Sequence, residues 1–464
     1  MRPSRCFLLV MLVSFATLVL AASSHAQTVK TLYSFTGTNS SGNPGFGALV
    51  QGRNGKLYGT TSGPIGTDGS AFVMTTSGNA SQLYTFGSDG ANPWAGLTLG
   101  ADGYYYGTTF DGGSTGNGVL FKLSPTGLYT SLHEFAGGSD GALPVAPPIQ
   151  ASDSNFYGTT SGTGGASTVY RYETNGTFTT ILNLSNTQGQ YAAAPLIQGT
   201  DGNLYGTAEE GGNAFPDGCG TIFKLSTSGE ILWTYAFPCG AGGVFPEGPL
   251  VQASDGNFYG TTESGGGDRG IQPGTVFRLS QSGVVTTLYD FTNLTDGSAP
   301  IGGLTQGTDG NLYGTTSGGG GKSRGGNLFQ ISLGGVHTIL YYFGASGEEP
   351  YAGVMQDTNG TFYGTTYAGG RDGYGSVYSF NMGLGPFVTF VQPTGATGSG
   401  AQILGQGLTG ATGVAFNGVA ATNFTVVNDT YITAVVPSGA TTGKVVVTTP
   451  SGALTSNVNF RIIN

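Results

Sequence analysis

Charge is scarce in this 464-residue chain: Asp, Glu, Lys and Arg together make up 9% of it, against roughly a quarter of an average soluble protein. Basic residues are the scarcest, 15 against 25 acidic ones, for a formal net charge of −10. Nucleic acid is therefore excluded as a partner, because phosphate binding needs a basic face. Histidine occurs three times, and His133 and His337 are the two that follow the first 26 residues. They lie more than four repeats apart, so neither a His-centred metal site nor a catalytic triad is expected, and no cofactor is implied. Long hydrophobic runs are also missing beyond residues 6–22, which leaves no later membrane span. No stretch after residue 26 shows the 3.6-residue apolar period of an amphipathic helix.

The one apolar run follows Arg2 and Arg5 and ends in Ser24, His25 and Ala26. That is the layout of a secretory signal peptide cleaved after residue 26, and it predicts a secreted or cell-surface protein. Cys6 would leave with the signal, so the mature chain would keep only Cys219 and Cys239. Residues 219–226 read as a strand, 227–230 as a turn and 231–237 as the returning strand, which brings the two cysteines opposite one another. An exported chain meets an oxidising compartment, so a Cys219–Cys239 disulfide is expected.

Glycine is abundant, 87 residues, and it is phased. The tetrapeptide Tyr-Gly-Thr-Thr, or a one-residue variant, returns seven times, at Tyr58, Tyr106, Tyr157, Tyr205, Tyr259, Tyr313 and Tyr363, with spacings of 48, 51, 48, 54, 54 and 50 residues. A period near 50 points to a propeller or solenoid. The fifth repeat reads as four short strands, A to D, at residues 248–253, 258–262, 274–280 and 284–291. Asp255-Gly256 and Ser282-Gly283 supply the positive φ that tight hairpin turns require. Strand C alternates Val276, Arg278 and Ser280 with Phe277 and Leu279, the two-residue period of a sheet. The seventh repeat has no strand D before Pro386, whereas residues 28–35 match strand D and precede the first strand A. The expected fold class is therefore all-β: a seven-bladed β-propeller closed by an N-terminal strand.

The modules at residues 202–207, 310–316, 220–225 and 274–279 resemble the bacterial GloVer tandem repeat, over residues 28 to about 383. The resemblance implies a surface or secreted repeat protein more than any activity. From Pro386 the period stops, and seven short β segments in the last 79 residues predict a small β-sandwich. Residues 407–416, 424–433 and Val436-Pro437 resemble an IPT/TIG domain, an immunoglobulin-like module. The expected organisation is a signal peptide at 1–26, the propeller at 27–383 and the Ig-like domain at 384–464.

In a propeller the A–B and C–D turns share one face, and the longer B–C and D–A loops share the other. Ligand sites favour long loops on a rigid frame, so the second face is the candidate. Phe46, Trp94, Tyr191, Phe245 and Tyr351 each lie just ahead of a strand A, where flat rings suit sugar stacking, with Trp94 foremost; the alternative is that they pack between neighbouring blades. Glu209, Glu263, Asp268 and Arg269 are the charged members chosen from the same loops, which also carry Glu247. The Asp-Gly-Asn turns at Asp201, Asp255 and Asp309 lack the further carboxylates of a calcium loop and read as hairpin chemistry. The expected function is non-catalytic binding of an extracellular ligand, a polysaccharide or a surface protein, by a monomer. The alternatives are an extracellular polysaccharide hydrolase or lyase using loop carboxylates, and a purely structural envelope component.

Overall fold

The computed structural model describes residues 28–38, 42–63, 68–212, 218–239, 242–266, 273–321, 324–344 and 348–463. The expected signal segment, residues 1–26, lies outside the described residues, as do Asp268 and Arg269. Apart from two three-residue 3-10 turns, Gly138–Asp140 and Thr163–Gly165, every regular element described is a strand.

Seven four-stranded sheets follow one another along the chain, and they are propeller-like blades. Sheet 5 is typical: Val251–Gln252, Phe258–Thr262, Thr275–Leu279 and Val285–Asp290 (strands A to D) pair antiparallel in chain order. Sheet 7 consists of Met355–Gln356, Phe362–Thr366 and Ser376–Phe380, and its fourth strand is Lys30–Ser34 from the other end of the chain. Strand A is only two residues long in every sheet, shorter than the sequence suggests. The residues ahead of it have other partners: the first Thr of Tyr-Gly-Thr-Thr reaches across to the next sheet, as in Thr60 Oγ1 to Ala95 O at 2.5 Å and Thr159 Oγ1 to Ala194 O at 3.1 Å.

The repeated tetrapeptide has a separate physical reason at each position. Its tyrosine is buried, and in five sheets it donates to the aspartate four residues earlier, as in Tyr259 Oη to Asp255 Oδ2 at 2.8 Å. The same carboxylate accepts from Asn257 at the backbone (3.0 Å) and side chain (2.8 Å), so the Asp-Gly-Asn turns are hairpin chemistry. Its glycine lies under the aromatic ring of strand C. A Cβ at Gly260 would stand 2.5 Å from Phe277 Cζ, and one at Gly158 2.3 Å from Tyr170 Oη. Tyrosine rings also pack on the following sheet, Tyr58 on Tyr105 at 4.0 Å and Tyr106 on Phe156 at 3.8 Å between centroids.

A second repeat links neighbouring sheets. The glutamine ending strand A accepts from a backbone N–H in the A–B turn of the preceding sheet: Gln150 from Ala101, Gln198 from Ser152, Gln252 from Thr200, Gln306 from Ser254 and Gln356 from Thr308. Gln51 of sheet 1 accepts from Thr358 of sheet 7 in the same way at 3.1 Å, and donates back to its hydroxyl at 2.7 Å. Only between sheets 1 and 2 does Leu99 stand where the glutamine would be.

The C-terminal segment forms two four-stranded sheets and a short parallel pair. One sheet is ordered Thr389–Phe390, Gly400–Leu404, Tyr431–Val435, Phe424–Asn428, and the other Val419–Ala420, Gly413–Phe416, Val445–Thr449, Gly452–Thr455. Ile403, Ala434, Val414, Phe416, Val445 and Val447 share one core, so the sheets form a sandwich. It has ten strands rather than seven, because several are only two residues long and carry no readable alternation.

This sandwich sits on the short-turn face of the repeat array. At the junction that lacks its glutamine, Gln402 Nε2 donates to Ala101 O at 2.8 Å, Arg53 Nη2 donates to both Ala101 O and Gln402 Oε1 at 2.6 Å, and the Arg53 guanidinium lies 4.9 Å from the centre of the Tyr431 ring. Further contacts reach sheet 3 through Gln392 to Ala151 O, sheet 4 through Arg461 to Thr200 O, and sheet 7 through the Phe387 N–H to Thr358 O. Leu404 and Tyr431 join Tyr58, Leu97, Leu99 and Tyr105 in one apolar cluster. Beside it a cavity of about 300 Å³ is lined by strand A residues of sheets 1, 2 and 7 and by Phe390, Val391 and Leu404 of the sandwich.

Cys219 and Cys239 are bonded, with Cα atoms 5.2 Å apart and a sequence separation of 20. The bridge ties the start of strand C to the end of strand D in sheet 4. Cys219→Ser with Cys239→Ser is expected to lose about 3 kcal/mol, the loop-closure value for a ring of this order. A denaturant titration that gives the same midpoint for both proteins would contradict it.

Candidate functional site

With the short-turn face occupied by the sandwich, the long-loop face is the open one. Two positions recur on it. The first is the residue just after the proline that leads into strand A: Trp94, Val145, Glu247, Ile301 and Tyr351, with Ala193 in sheet 4, where Ala192 takes the proline's place, and Phe46 in sheet 1, where Gly45 adds a residue. The second is the residue that follows Tyr-Gly-Thr-Thr: Ser62, Phe110, Ser161, Glu209, Glu263, Ser317 and Tyr367. One carbonyl holds both in register. Phe245 O accepts from Glu247 N–H at 3.0 Å and Glu263 N–H at 2.9 Å, Asn92 O from Trp94 and Phe110, and Glu349 O from Tyr351 and Tyr367.

The accepting residue has left-handed backbone, with φ of 54° at Asn92, 53° at Tyr191, 59° at Phe245 and 42° at Glu349. Tyr191 and Phe245 thus occupy a different position from Phe46, Trp94 and Tyr351. They stand before the turn rather than after it.

The rings that do converge come from sheets 7, 1 and 2. Phe46 is 44% exposed and lies between Tyr351, stacked at 5.3 Å, and Trp94, edge-on at 6.1 Å. Trp94 stacks on Phe110 at 4.1 Å, and Tyr367 lies 5.1 Å from Tyr351. Packing between neighbouring sheets and partial exposure hold together here, giving one continuous aromatic arc.

Sheets 4 and 5 contribute carboxylates at the equivalent positions. Burial, followed by the charges of Glu210 and Glu263, pushes Glu209 up to about 7, and burial with Glu263 and Glu209 pushes Glu247 up to about 8. Burial raises Glu263 as well. Glu209 and Glu247 therefore retain a proton near neutral pH, the state suited to hydrogen bonding with hydroxyl groups or to acid–base work. Among the described residues none of the three is in an ion pair, and no group of three His, Cys, Asp or Glu is placed to hold a metal ion.

A family model of the Gloeobacter/Verrucomicrobia repeat matches residues 17–214, 99–325 and 272–428. The chain belongs to that repeat family. No curated protein matches it. Among solved structures, this GloVer-type chain is similar to a luciferin-regenerating enzyme (13% identity, 78% of this chain and 97% of that one, TM-score 0.41). It is also similar to a putative 6-phosphogluconolactonase from Bacteroides uniformis (17%, 64% and 85%, 0.43) and a gluconolactonase from Xanthomonas campestris (13%, 73% and 94%, 0.39).

Sequence reasoning picked out Phe46, Trp94, Tyr351, Glu209 and Glu263, which the GloVer-type fold brings to the two recurring positions. It passed over Phe110 and Tyr367 and gave Glu247 no special place. Their signal was available: the residue after Tyr-Gly-Thr-Thr varies while the four before it barely do.

Proposed function

We propose that this is a secreted or cell-surface protein, exported by a signal peptide at residues 1–26, that binds an extracellular carbohydrate without transforming it. In this reading residues 27–383 are a closed seven-bladed β-propeller, residues 384–464 are an IPT/TIG-type Ig-like module, and the protein acts as a monomer. The sheet 7 strand drawn from the N-terminus and the Gln51–Thr358 link support closure. The observation that carries the function is the polarised open face, where an aromatic arc on sheets 7, 1 and 2 accompanies protonatable carboxylates on sheets 4 and 5. Rings provide flat faces for the C–H side of a sugar, and carboxyl groups provide acceptors and donors for its hydroxyls.

Phe46→Ala and Trp94→Ala are each expected to weaken binding about 30-fold, the loss of roughly 2 kcal/mol typical of a central aromatic anchor, with little change in melting temperature. A carbohydrate array supplies the ligand, and a reducing-end assay on every hit separates the readings. Binding without new ends supports recognition, and unchanged binding by both variants removes the arc from the site. The second reading, a hydrolase or lyase, is favoured by the upward shifts of Glu209 and Glu247, which suit a proton donor at neutral pH; new reducing ends lost on Glu247→Gln would establish it.

A further inference from the structure

Six of the seven A–B turns begin with a residue that has almost no side chain: Gly52, Gly100, Ala151, Gly199, Ala253 and Gly307. The seventh begins with Asp357. This turn lies at the junction of sheets 7 and 1, beneath the sandwich, and Asp357 is 0% exposed. Its Oδ1 accepts from Asn359 N–H at 2.9 Å and, from the sandwich, Gln406 Nε2 at 3.4 Å. Its Oδ2 is buried and has no hydrogen-bond partner among the described residues. The groups facing it are Asn359 from its own turn, the Tyr363 phenol from strand B of sheet 7, and the neutral Gln406 amide. No cation among the described residues pairs with it, and Arg53 Nη2 is directed to Ala101 O and Gln402 Oε1. A carboxylate in that setting costs free energy which the glycine or alanine of the other sheets avoids.

We propose that Asp357 is a pH-operated latch between the repeat array and the C-terminal sandwich, favouring docking when its carboxyl is protonated and opposing docking when it is ionised. Burial is the main cause that lifts this carboxyl from 3.8 to about 6, and Gln406 of the sandwich lies against it. A docked-state value above the free value means that the docked form holds the proton more tightly. Below about pH 4 the group is neutral whether docked or free, so docking carries no penalty; the penalty grows as pH rises and is complete above about 6. A shift of about two units corresponds to a change of about 100-fold in the ratio of docked to undocked molecules.

The Phe387 N–H, bonded to Thr358 O across the junction at 3.0 Å, reports undocking directly. In the full chain its hydrogen-exchange protection, corrected for the intrinsic rate, is expected to fall about 100-fold between pH 4 and pH 7. Protection of the Phe277 amide in the core of sheet 5 serves as the reference and stays constant. Asp357→Asn and Asp357→Gly both hold Phe387 protection at its acid value across the range. A wild-type profile without the fall, a fall that persists in the Asn variant, or a parallel fall at Phe277 overturns the latch.

Discussion

Removing residues 28–36 is expected to lower the melting temperature by several degrees and to make sheet 7 the first site of proteolysis. Those residues supply strand D of the last sheet, in the register Lys30 to Ser379, Thr31 to Tyr378, Tyr33 to Val377 and Ser34 to Ser376. Their loss leaves Ser376–Phe380 as an open edge, with unpaired backbone groups that recruit other chains. It also removes Phe35, which is 2% exposed, sits edge-on to Phe72 at 5.3 Å and donates its N–H to Gly375 O. Phe35→Ala alone should cost about 3–5 kcal/mol, and the deletion more. A calorimetric trace superimposable on that of the intact protein would show that the N-terminal strand contributes no closure.

Tyr259→Ala should be nearly as damaging, at about 3–5 kcal/mol for a buried aromatic ring. The comparison with Tyr259→Phe isolates what the ring does. Phenylalanine keeps the packing against Val276, Leu304 and Leu312 and gives up only the 2.8 Å bond to Asp255, about 1.5 kcal/mol for a hydrogen bond to a charged acceptor. Urea unfolding measures both, and equal losses would mean that the hydroxyl, not the ring, fixes this tyrosine. The answer applies to five of the seven sheets, since Tyr106, Tyr157, Tyr205 and Tyr313 make the same bond, whereas Tyr58 and Tyr363 accept from Asn54 and Asn359.

What could be read from the residues alone was whatever a single repeat contains. The period, the glycine turns, the two-residue alternation and the strand missing from the seventh repeat are all local facts, and Cys219 and Cys239 share one hairpin. What escaped depends on neighbours. The glutamine of strand A recurs seven residues before the tyrosine in six repeats, but its partner lies in the repeat before it, about 50 residues away. Leu99 then reads as an ordinary apolar residue until Gln402 and Arg53 are seen filling the gap. The candidate site was half legible for a similar reason. Phe245 and Glu247 are two residues apart, yet one lies in the left-handed turn and the other follows it, and only the second shares its position with Trp94 and Tyr351. Asp357 was hidden altogether, because an aspartate in a turn looks ordinary until something is placed on top of it.

The sandwich lies over the A–B turns of sheets 1, 2, 3, 4 and 7, which has a consequence for the shape of any ligand. In the proposed closed ring the sandwich would stopper the central axis at one end, so a long polymer could not be threaded through it as a cord through a bead. Such a polymer would lay an internal stretch across the open face, a mode that allows release without passage of the whole strand. The chain length of a bound oligomer should therefore stop affecting affinity once the rim is spanned.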